Sequence, residues 1–89
     1  MPKVRIPPPY RGPTQGTAEL GVEGATVLEC LEAVERKFAT FLPQVLGEDG
    51  NIHRFVKIFK NGAHLRGNVL GERVAADDEL EIVAAIAGG

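Results

Sequence analysis

The chain has 89 residues, 44% of them hydrophobic and 25% charged, with a formal net charge of −2. That length holds one domain, burying about 60–65% of its unfolded surface, and the composition is that of an ordinary soluble globular protein, with a cytoplasmic location the expectation. No block of like charge points to nucleic acid, no apolar run reaches signal-peptide length or the ~20 residues of a membrane span, and the single cysteine, Cys30, excludes an internal disulfide and a cysteine-only metal cluster.

Lys3-Val4-Arg5-Ile6 alternates basic and apolar residues and predicts a short half-buried strand. Pro7, Pro8 and Pro9 remove three consecutive backbone donors and end it or leave it at an edge. With Tyr10 they match a short ligand motif for proline-binding domains, although a strand-ending kink explains them more simply. Arg11 to Gly16 reads as a loop. Thr17 to Glu23 alternates again, with Ala18, Leu20 and Val22 on one face, and is expected to pair with the first strand as a hairpin.

Thr26 opens the one strong helix. Thr26-Val27-Leu28-Glu29 fits a capping box, in which a hydroxyl and a carboxylate each satisfy an orphan amide. Val27, Leu31, Val34, Phe38 and Phe41 then form one apolar stripe, while Glu32, Glu35, Arg36 and Lys37 fall away from it toward water. Pro43 is expected to stop the pattern. Cys30, at the stripe's edge, reads as a packing residue, because no neighbouring cation in sequence lowers its pKa.

Gln44 to Asn51, rich in glycine and acid, reads as a loop. Phe55 to Lys60 predicts a strand with Val56 and Ile58 on one face and Phe55, Lys57 and Phe59 on the other. Asn61-Gly62 is a strong hairpin signal, so Ala63 to Arg66 is expected to fold back as a short strand. Asn68 to Ala76 is irregular, Asp77-Asp78 makes a turn, and Glu79 to Ala85 is the last strand, with Leu80, Ile82 and Ala84 on one side and Glu81, Val83 and Ala85 on the other. This order predicts an α+β fold, a β-grasp (ubiquitin-like) layout with a mixed four- to five-stranded sheet and one main helix on one face. The domain is expected to span 1–85, followed by a flexible tail, 86–89.

That tail, Ile86-Ala87-Gly88-Gly89, carries the chemical interest. Glycine has no Cβ and passes through slots too narrow for other residues, and four extended residues reach about 13–14 Å at about 3.3–3.6 Å each. Such a tail can deliver a carboxylate into another protein's active site. Other chemistries lack their residues. His53 and His64 stand far apart in sequence with no cysteine or third histidine beside them, so no metal site is expected. An iron–sulfur cluster would need four thiolates. The carboxylates fall mostly on the helix's polar face and in turns, without the apolar setting that makes a general acid. On the sheet face away from the helix, Phe55, Phe59, Val83 and Ala85 would form an apolar docking patch beside the tail's exit, unless loops such as Gln44 to Asn51 cover it.

Across essentially its whole length the chain resembles the ubiquitin-like sulfur carriers of the ThiS/MoaD family. The matching stretches are Thr26-Val27-Leu28, Val56-Lys57-Ile58-Phe59-Lys60-Asn61, Asp77-Asp78-Glu79-Leu80 and Ala87-Gly88-Gly89. His53-Arg54-Phe55-Val56 and the overall length look closest to the CysO-like carriers of cysteine biosynthesis. Lys57 stands where many relatives have Asn, and Ala84-Ala85-Ile86 where they often have prolines. The resemblance implies that Gly89 is joined to AMP by an E1-like adenylating enzyme and converted to a thiocarboxylate, with Ala87 and Gly88 threading the tail. The product would be cysteine, with molybdopterin and a thiazole as other outcomes. ATP, magnesium and zinc would belong to the partner, and this chain would bind no cofactor. It would be a carrier and substrate, or the small subunit of a synthase, not a catalyst. Its partners would be the activating enzyme, a sulfur-accepting synthase and a metalloprotease acting at the tail. Two other readings stay open: a protein modifier forming isopeptide bonds through Gly89, and a passive interaction module.

Overall fold

The computed structural model describes residues 1–7, 12 and 16–84. Its elements are β1 (Lys3–Arg5), β2 (Glu19–Gly21), α1 (Val27–Lys37), α2 (Leu42–Val45), β3 (Val56–Lys60), β4 (Ala63–His64) and β5 (Glu79–Ala84). The strands form one mixed sheet in the order β2-β1-β5-β3-β4. β5 lies at its centre, parallel to β1 and antiparallel to β3, while β1–β2 and β3–β4 are antiparallel.

Alternation decides which side of this sheet is covered. Val4 and Ile6, Val56 and Ile58, and Leu80 and Ile82 all lie on the inner face and are at most 4% exposed. α1 closes over them with Val27, Cys30, Leu31 and Val34, each fully buried. At about 25 cal/mol per Å2 of apolar area removed from water, these interlocking side chains supply most of the folding drive. The helix starts where its capping sequence predicts. The Thr26 hydroxyl accepts from the Glu29 amide at 3.2 Å, and the Glu29 carboxylate accepts from the Ala25 amide at 2.8 Å, one residue before the cap.

Several sequence-based boundaries shift, each for a tertiary reason. The second strand is confined to Glu19–Gly21, because the ladder on β1 is only three residues long. Backbone bonds from Ile6 to Ala18 and from Val22 to Pro2 flank it. Ala18, at the sheet's edge, is exposed rather than packed. The apolar stripe does not stay on one helix. α1 ends at Lys37, Phe38 turns extended (φ −132°, ψ 92°) and Thr40 takes a positive φ of 75°. Phe41, fully buried, then leads into α2, which occupies part of the expected Gln44 to Asn51 loop. Pro43 sits in the first turn of α2, where its missing N–H costs nothing, so it begins a helix instead of ending one.

Glu35 makes that break possible. Its half-buried carboxylate accepts from the amides of Thr40 (3.1 Å) and Leu42 (2.6 Å), supplying the cap that α2 otherwise lacks. The expectation that Glu35 merely faces water is therefore corrected. Phe55 precedes β3 rather than beginning it, and β4 stops at His64, although the Leu65 amide still donates to Ile58 O at 2.9 Å. The Pro8, Pro9 and Tyr10 part of the proline motif lies outside the described residues.

Candidate functional site

The last strand, β5, lies in the middle of the sheet. β5 is held on both sides, and its last residue, Ala84, is paired with Val56. That end of β5 thus lies beside Val56, the residue that follows Phe55. Ala85 and the tail residues Ala87, Gly88 and Gly89 lie outside the described residues.

A polar latch fixes the other end of β5. Asn61 and Gly62 both take positive φ, 52° and 85°, as a two-residue type I′ hairpin requires. The Asn61 side chain accepts from the Glu79 amide (2.9 Å) and donates to Asp78 (2.8 Å), while its own amide donates to Glu79 O (2.8 Å). Asp78 also accepts from the Ala75 amide at 2.8 Å. These bonds, first the one from Ala75 and then the one from Asn61, hold the Asp78 carboxyl below its ordinary pKa. Nearby, Lys60 donates to Glu72 at 2.6 Å, which raises the lysine's pKa. The β3–β4 hairpin is thereby tied to the turn that launches the tail-bearing strand.

On the sheet's outer face, Phe55 is 44% exposed, whereas Phe59 and Val83 are half-buried. Lys57, opposite Val83 in the ladder, stands between the two phenylalanines, and Glu81 is opposite Phe59. The expected apolar patch is therefore interrupted by charge. Each phenylalanine carries a histidine. His53 stacks on Phe55 (5.0 Å between centroids, 8° between planes), and His64 stacks on Phe59 (5.1 Å, 24°). Sequence reasoning placed both histidines on the surface without their aromatic partners. The pairing of Phe59 with His64 across the Asn61-Gly62 hairpin was available from its register; that of His53 with Phe55 was not.

Cys30 lies in the core, fully buried, and desolvation, followed by the neighbouring Glu29, raises its thiol pKa. A Cβ at Gly24 would meet Cys30 N at 2.8 Å and Sγ at 2.9 Å, so the helix start packs against bare backbone there. Among the described residues no three potential metal ligands come together, and no helix is long and apolar enough to cross a membrane.

A mixed sheet whose final strand runs up its centre, with one main helix across one face, is the ubiquitin-like β-grasp arrangement. Residues 12–89 match the ThiS family, and the chain belongs to it. Members of this family are small sulfur carriers, not enzymes, and the family also has ubiquitin-like modifiers among its relatives. The chain is 33% identical over 88 residues to a putative sulfur carrier protein of Archaeoglobus fulgidus, covering 98% of this chain and 97% of that one. It is 32% identical over 74 residues to small archaeal modifier protein 1 of Haloferax volcanii, 82% of each. Among solved structures it is similar to a chain of the Amycolatopsis orientalis BexX/CysO complex, with a TM-score of 0.92, 33% identity and full coverage of both chains.

Proposed function

We propose that this chain carries sulfur on its carboxyl end. The Gly89 carboxylate is a poor electrophile. An E1-like enzyme, using ATP and magnesium, joins it to AMP with loss of pyrophosphate, and a sulfur donor then displaces AMP to leave a thiocarboxylate. That soft nucleophile passes its sulfur to an acceptor held by a synthase, with cysteine as the product favoured by the likeness to the CysO chain. Ala87 and Gly88 thread the activating site, and Phe55, Phe59, Val83 and Ala85 face the partner around the exit. The observation that carries this reading is the family match running through Gly88 and Gly89, which follow the central strand β5 in the chain. ATP–pyrophosphate exchange by the cognate adenylating enzyme tests it. Exchange that depends on this chain and stops when Gly89 is deleted is expected; exchange that persists without Gly89 contradicts the proposal.

A second reading, isopeptide modification of lysines through Gly89, is favoured by the likeness to small archaeal modifier protein 1. It shares the activation step and differs in the nucleophile. Lysine adducts of the chain that appear in cells and resist thiols and hydroxylamine would support it.

A further inference from the structure

We propose that the cleft beside β3, past the end of its two-residue pairing with β4, docks an extended acidic segment of a partner protein. The cleft, of about 440 Å3, lies between residues 52–54 and the segment that follows β4. Its apolar floor includes Ile52, Leu65 and Val69, and its rim carries Arg54, Lys57 and Arg66 together with His53 and His64. The chain has 12 acidic residues against 10 basic ones, all 12 within the described residues, yet none of them lines this cleft.

The contrast with the rest of the sheet is one of pairing. Among the described residues, ion pairs engage Lys3 and Arg5 with Glu19, Arg5 with Glu79, and Lys60 with Glu72. Arg54, Lys57 and Arg66 take part in none; Lys57 donates to Arg54 O at 3.2 Å, which gathers the cationic rim without neutralising it. An arginine fork matches a carboxylate with two parallel bonds. Cations around an apolar floor thus fit a chain alternating carboxylates with apolar side chains, at the period of an extended strand. The net charge of −2 and the carboxylates elsewhere disfavour a long polyanion such as nucleic acid. The surface adjoins the two histidine–phenylalanine stacks but uses different side chains from the tail-exit patch, and it does not depend on the sulfur chemistry.

The test is an NMR titration of the intact 15N-labelled protein with a short capped peptide in which glutamates alternate with isoleucine. Three comparisons accompany it: the glutamine isostere of that peptide, a short oligothymidylate, and the Arg54→Gln/Arg66→Gln variant, with Arg36→Gln as a distant control. Saturable shifts should centre on the amides of Arg54, Lys57, His64 and Arg66. The isostere and the double variant should each weaken binding about tenfold or more, as expected for lost charge-assisted contacts. The spectrum of the double variant reports its fold separately. No saturable shift, shifts centred on Lys3 and Arg5, equal binding of the isostere, or tighter binding of the oligothymidylate would each overturn the proposal.

Discussion

Asn61→Ala is the most informative single change to the frame that holds the tail. Asn61 has φ 52°, and forcing an alanine into the left-handed region costs about 1–2 kcal/mol. The substitution also removes the acceptor for the Glu79 amide, a bond worth about 0.5–1.5 kcal/mol net. Its bond to the solvent-accessible Asp78 carboxylate receives no weight, because water can replace it. The total is about 2.5 kcal/mol, which for a domain of this size lowers Tm by roughly 10–20 °C. Asn61→Gly separates the two causes: glycine accepts the positive φ, so only the side-chain bonds are lost and the drop should be less than half as large. Urea denaturation of the three proteins measures both. If Asn61→Ala changes stability by less than about 0.5 kcal/mol, within the usual range for surface substitutions, the latch does not hold the hairpin to β5. If the glycine variant falls as far as the alanine one, the turn geometry is not what asparagine supplies.

Other consequences concern the core, the carboxylates and the partner face. Leu31, fully buried between α1 and the sheet, should cost about 2–5 kcal/mol as Leu31→Ala, read by the same denaturation; a smaller loss would mean that α1 does not seal the core. The Asp78 carboxyl is depressed in the folded state, so its stabilisation is fully present above the unfolded-state value near 3.9 and is lost as pH falls through the lower folded value. Asp78→Asn should therefore lose less stability than wild type over that acid window, and an identical pH profile would contradict the assignment. Phe59→Ala, which removes the ring stacked on His64, should lower adenylation by the activating partner while the amide spectrum stays native; normal activation, or unfolding, would remove Phe59 from the docking face.

The parts of this fold legible from sequence are those specified by neighbouring residues. The capping residues Thr26 and Glu29 mark a helix start, Asn61-Gly62 marks a hairpin, and alternation from Glu79 onward marks a strand. What escaped depends on residues brought together by folding. Periodicity carried the stripe smoothly through Phe41, because hydrophobic spacing does not register the positive φ at Thr40. Glu35 sat at a polar phase of the helix and read as solvated, yet it bonds to amides five and seven residues on. The candidate site divides in the same way. Phe55 and Phe59 were visible as alternating apolar residues of a strand. The charge of Lys57 between them gained its meaning from the register opposite Val83, and the cationic rim joins residues 53–57 to 64–66, which only the turn of the hairpin makes neighbours.

The account stands on the chemistry of the carboxyl end, and intact-mass spectrometry of the chain produced together with its activating enzyme and a sulfur source reads that end directly. The predicted result is a population heavier by the exchange of one oxygen for sulfur, localised by fragmentation to Gly89 and absent when Gly89 is removed. An unchanged mass under conditions where adenylation proceeds, or sulfur located on Cys30 instead, would contradict it.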